Sequence, residues 1–179
     1  MIGSQKLAPK SRQILNAVII VGSVLLCVLL SPARLPGMEL LGIGPNWFLI
    51  WVIIWSLKRK WFRAVQAGIV LGLIQDGMTS AYPSHVLVYG LIAWLTSQLY
   101  ERRYVKEDPI TVVLVVFLMT LLGDLLIAAQ YFLEGNISLE VLGKNYQKIA
   151  LSSAVLSSLW APVLYYPLNS CLLYTSDAA

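Results

Sequence analysis

Residues 110–133 read ITVVLVVFLMTLLGDLLIAAQYFL, 24 positions with a single charge, Asp124, among them. A helix crossing a hydrocarbon layer ~30 Å thick needs about 20 predominantly apolar residues at a rise of ~1.5 Å each. The stretch is long enough to do so, and the rest of the chain has the same character. Of 179 residues, 58% are hydrophobic and 12% charged, with a mean hydropathy of +0.74. Soluble domains carry about 25% charged residues, and disordered chains pair high charge with low hydrophobicity. Both classes are excluded, and the apolar excess is assigned to lipid.

The intervals between charges mark out the spans. Arg12 and Arg34 bracket 21 uncharged residues, Glu39 and Lys58 bracket 18, and Arg63 and Asp76 bracket 12. Asp76 to Glu101 encloses 24, Asp108 to Glu134 encloses 25 broken only by Asp124, and Lys148 to Asp177 encloses 28. The expected architecture is an all-α integral membrane bundle of six transmembrane helices. Their cores are residues 14–30, 47–57, 64–75, 86–100, 110–133 and 149–168. The third spans only if it extends to Trp61 and Thr79, which carries Arg63 and Asp76 to the two interfaces, where long side chains snorkel. A re-entrant hairpin is the competing reading for that segment.

Orientation follows from the basic residues, which favour cytoplasmic loops. Lys6, Lys10, Arg12, Lys58, Arg59, Lys60, Arg63, Arg102, Arg103 and Lys106 share the side of the N-terminus, against Arg34, Lys144 and Lys148 opposite. Both termini are therefore expected to be cytoplasmic. The formal charge of +4 then calls for no nucleic acid partner. Residues 1–13 form a cytoplasmic tail, 14–168 the six-helix transmembrane domain, and 169–179 a short C-terminal tail. From the composition break after Leu173 the final residues are expected to be truncated or non-native.

The N-terminus imitates a secretory signal, but its 17-residue apolar run exceeds a usual signal core of ~7–15 and leads into further membrane segments. It is read as a retained anchor. Cys27 and Cys171 lie in or beyond different helices and are not expected to pair. Pro32, Pro36, Gly37, Gly42, Gly44 and Pro45 set an external loop over residues 31–46, and residues 134–148 form a second. The tripeptide Asn136, Ile137 and Ser138 matches a glycosylation acceptor, too short a pattern to carry weight.

Catalytic inventory is thin. Ser84, His85 and Asp76 are the ingredients of a hydrolytic triad, but no nucleophile-elbow pattern accompanies them. No metal-ligand spacing or phosphate-binding glycine loop occurs, so neither cofactor nor metal is expected. Asp124 stands out because a carboxylate at the centre of a membrane helix costs at least ~2.5 kcal/mol. It should face protein, where it either fixes packing or meets a ligand, proton or partner. Ala64, Gly68 and Gly72 recur every four residues and form a ridge on which another backbone can approach closely. Trp47, Trp51, Trp55 and Trp61 cluster around the second helix, with Trp94 and Trp160 in the fourth and sixth.

In order, Pro45, Asn46 and Trp47, then Gly68, Gly72 and Asp76, then Ala93 and Trp94, Gly123 and Asp124, and Trp160 with Pro162 resemble the MreD family of rod shape-determining membrane proteins. The likeness runs from Ile14 to Leu168. It departs at Tyr82, Pro83 and Ser84, where the family often has glycine, and at Ala161, which separates Trp160 from Pro162. The resemblance implies a non-enzymatic scaffold of the peptidoglycan-synthesising elongation machinery in the bacterial inner membrane. Its implied partner is an MreC-like protein, with indirect links to MreB-like filaments and to a RodA-like polymerase with its transpeptidase. Asn46, Trp47, Gly68, Gly72, Asp76, Asp124 and Trp160 are the candidate packing or partner-contact residues. The family is also similar in architecture to the substrate-binding S-components of energy-coupling-factor vitamin transporters. That rival requires an outward-opening ligand pocket near Asp76, His85 and Asp124.

Overall fold

A computed structural model describes residues 9–33, 39–40, 42–79, 83–101, 108–135 and 139–176. Expectations for Lys6, Arg34, Pro36, Gly37, Tyr82, Arg102, Arg103, Lys106, Asn136–Ser138 and the last three residues lie outside that set. Six helices are present: α1 (Pro9–Leu30), α2 (Trp47–Ser56), α3 (Trp61–Met78), α4 (His85–Glu101), α5 (Pro109–Leu133) and α6 (Leu139–Ser176). Among the described residues there is no strand. The one isolated bridge, Leu40 to Ile43, closes a tight turn in which Gly42 adopts a φ of 77°.

Local chemistry sets the ends. Asn46 caps α2 by accepting a hydrogen bond from the Leu49 N–H at 3.2 Å. Lys60, with extended backbone, separates α2 from α3. Pro109 opens α5 at a position where its missing N–H costs nothing. The third helix does take its extended form, Trp61–Met78.

Two segments differ from the sequence-based expectation. The region after Glu134, expected as a loop to Lys148, becomes helical at Leu139. Leu139, Leu142, Tyr146 and Ile149 recur at helical spacing in the sequence, so Glu140, Lys144 and Lys148 fit a helix as well as a loop. At its other end α6 runs eight residues past Leu168, and it continues through Pro162 and Pro167. The second helix, in contrast, has only 10 residues. It is about 15 Å long, half a bilayer. Two helical stretches, Pro109–Leu133 and Tyr146–Leu168, are long and apolar enough to cross a membrane; Ala17–Leu30, Trp47–Ser56 and His85–Leu99 are apolar but shorter.

The short helix is the core. It touches all five others, while α1, α6, α5, α4 and α3 follow one another around it as an arc whose ends, α1 and α3, do not meet among the described residues. Every residue of α2 except Trp55 is buried. A helix apolar on all sides needs protein or lipid on all sides, and here protein supplies it.

Outside that core the usual distribution of polarity is inverted. Val18, Val21, Leu25 and Leu29 of α1, Ile110, Leu114, Leu118 and Leu125 of α5, and Leu151, Val155, Leu159 and Val163 of α6 are exposed. Ser56, Thr96, Ser97, Thr120, Asp124, Ser152, Ser153, Ser157 and Ser158 are buried. A contiguous apolar surface on several helices is incompatible with water. Four of the buried hydroxyls are served locally: Ser56, Thr96, Ser97 and Ser158 each donate to a carbonyl three or four residues back.

Candidate functional site

The motif residues converge near one end of the bundle, where α2 begins and α3 turns into α4. Asn46 joins three helices there. Its Oδ1 accepts from the Leu49 N–H and also, at 3.0 Å, from the Tyr89 hydroxyl of α4. Its own N–H donates to Ser157 Oγ of α6 at 3.1 Å. Beside it the rings of Trp47 and Trp160 meet with centroids 5.5 Å apart. One turn along α2, Trp51 Nε1 donates to Ser23 Oγ of α1 at 2.8 Å and its ring stacks on Trp55.

Gly68 and Gly72 lie against α4. A Cβ added at Gly68 would stand 2.5 Å from the Tyr89 carbonyl oxygen, and one at Gly72 would stand 2.5 Å from Val86 Cα. Real Cβ atoms do not come so close to backbone, so only glycine permits this spacing. The approach also sets the α3–α4 turn. Asp76 Oδ1 accepts the His85 backbone N–H at 2.8 Å and pairs with His85 Nδ1 at 2.7 Å. The acid therefore caps α4 from the preceding helix, satisfying an orphan donor of its first turn. On the far side of the turn, Gln130 of α5 brackets Ser84, accepting from its N–H at 2.9 Å and donating to its carbonyl at 3.2 Å.

Asp124 sits deeper, 8% exposed, hydrogen-bonded with Ser153 of α6. Its Oδ2 is buried with no hydrogen-bond partner among the described residues, as is Thr120 Oγ1 one turn earlier on the same helix face. Next to it, a Cβ on Gly123 would meet Leu49 Cδ2 of α2 at 3.0 Å.

Asn46, Trp47 and Trp160 are thus brought into one cluster, Gly68 and Gly72 into a helix seam ending at Asp76, and Asp124 into the α5–α6 seam. The hydrolase ingredients do not assemble as a triad: Asp76 and His85 pair, but the bonds that hold Ser84 run through its backbone to Gln130. Sequence reading missed Tyr89, fully buried at the centre of the cluster, and the bracket formed by Gln130. Tyr89 lies one turn from His85, and their rings meet edge-on at 5.7 Å. That spacing was the available signal.

The opposite end is different. Lys58, Arg59, Lys60 and Arg63 crowd the α2–α3 turn, with Lys58 Nζ 6.0 Å from the Tyr165 ring centroid and the Arg59 guanidinium 4.6 Å from that of Trp55. Burial first, and then the neighbouring Arg63 charge, lower the Arg59 pKa from its ordinary value.

The family model described as rod shape-determining protein MreD matches residues 11–171. No curated protein and no solved structure matches the chain.

Proposed function

The chain belongs to the MreD family of rod shape-determining membrane proteins, and on that premise we propose that it is a multi-pass scaffold subunit of the bacterial elongation machinery. Membership itself carries the coarser statements: a membrane protein with a role in rod shape determination, from a family not known for enzymatic activity. The finer reading is that all six helices lie within the inner membrane with both termini cytoplasmic. In it, the protein acts through contacts with an MreC-like protein, and indirectly with MreB-like filaments, a RodA-like polymerase and its transpeptidase.

One observation carries this reading best. The motif side chains are spent on holding the chain to itself, whereas the outward faces are apolar. A scaffold needs a rigid interior and an outer surface that other membrane helices can pack against, and that is the division seen. Helix α2, too short to span alone, is solvated by its five neighbours rather than by lipid. In this reading the seven candidate residues determine packing, and partner helices dock on outward faces.

Depletion in a rod-shaped host tests the proposal. Cells are expected to round up while still growing without supplements. If they instead keep their shape but require an added vitamin, the chain is a transporter S-component and the scaffold reading fails. Reporter fusions after Ser56 and after Leu133 test topology, with the first expected inside and the second outside.

A further inference from the structure

We propose that the α2–α3 turn is a binding site for the phosphate headgroup of an acidic phospholipid. The inference rests on the proposed membrane placement, which puts this turn at the cytoplasmic interface. Three cations, Arg59, Lys60 and Arg63, fall within five residues, and none has a carboxylate partner among the described residues. Arg59 is half-buried, fixed over the Trp55 ring, and its Nε is buried without a hydrogen-bond partner. The guanidinium is therefore held in place by stacking while its donors go unused. Lys60 and Arg63 are exposed beside it.

The backbone adds to the same charge. Lys60 occupies the N-cap of α3 without a side-chain cap, and the first turn holds no acid. An 18-residue helix thus presents its positive end where the cations gather. Trp61 and Phe62, 49% and 57% exposed, extend from that turn with their rings packed edge to face. An aromatic pair next to a cationic cluster matches a molecule that is apolar in one part and anionic in another. Free phosphate would use the cations alone and an acidic protein would have no use for the lipid-facing rings, so a phospholipid is the occupant that uses every feature.

Native mass spectrometry of the full chain in detergent tests this, with phosphatidylglycerol, phosphatidylcholine and inorganic phosphate as probes. One phosphatidylglycerol should be retained in clear preference to phosphatidylcholine. With each interfacial cation contributing about fivefold, Arg59→Gln/Arg63→Gln should lower retention roughly twenty-fivefold. Arg63→Gln alone, at an exposed position that leaves packing intact, should lower it about fivefold, and Lys148→Gln should leave it unchanged. Equal retention of the two lipids, or full retention by the Arg63→Gln protein, would overturn the proposal. So would displacement by millimolar inorganic phosphate, which would make the site a phosphate site. Labelling of Asp108→Cys from outside intact cells, at an exposed position outside the site and on the same expected side, with lipid preference preserved, would overturn the proposed sidedness and leave the lipid site standing.

Discussion

The two ends of the bundle handle charge in opposite ways. At the Asp76 end polar groups are answered from another helix or across a turn, Asn46 by Tyr89 and Ser157, Asp76 by His85 and Ser84 by Gln130, with the buried Gln75 Oε1 the exception. At the Arg59 end Lys58 and Arg59 face aromatic rings, and the like charges of Arg59 and Arg63 lie close enough to interact. One end is held largely by its own side chains, whereas Arg59, Lys60 and Arg63 at the other have no carboxylate partner among the described residues. Fold rigidity and surface chemistry have thus been divided between the two ends of the same helices.

Substitutions at the closed end should cost most. Gly72→Leu places a side chain where even a Cβ would be 2.5 Å from α4 backbone, so α3 and α4 must part. A loss of about 3 kcal/mol or more is expected, seen as early aggregation on heating in detergent, whereas Gly77→Ala, with nothing within 4 Å, should melt like the parent. Next is Asn46→Ala, which removes a helix cap and strands the buried Tyr89 hydroxyl. It should cost about 2–3 kcal/mol in denaturant unfolding, part of which Tyr89→Phe restores in the double variant. Gln130→Leu frees both backbone groups of Ser84 and should lower stability by roughly 1–2 kcal/mol.

Asp124→Leu sharpens the distinction between inside and outside. Because the carboxyl is turned into the α5–α6 seam, the change should shift the melting temperature while leaving co-purification with a partner intact. Lost co-purification at unchanged stability would place Asp124 in a contact surface. At the open end, Lys60→Gln should alter stability by no more than about 0.5 kcal/mol. A larger change would mean that this end also holds the fold.

Spacing of charges made much of the helical layout legible. Asp108 and Glu134 bound α5 closely, and Asp76 and Glu101 frame the turn and helix of α4. It failed at α6 because Glu140, Lys144 and Lys148 suit an amphipathic helix as well as a loop. The central place of α2 was hidden for a different reason. Ten apolar residues look the same whether lipid or five helices surround them, and only tertiary packing decides. Gly68 and Gly72 could be read as a packing ridge from their spacing of four, but the identity of the neighbour could not. Asn46 stood out in its motif, whereas the Tyr89 and Ser157 it binds are 43 and 111 residues away, beyond any local pattern.

Helix α6 has 38 residues, beginning seven before and ending eight after its membrane-length segment Tyr146–Leu168. In the proposed membrane placement it is therefore a mast whose two ends project beyond the layer. Each residue inserted near Lys148 would swing the projecting tip by about 100° and shift it by ~1.5 Å. The bearing of that tip, and of whatever it carries, is accordingly indexed to the bundle by helical pitch alone.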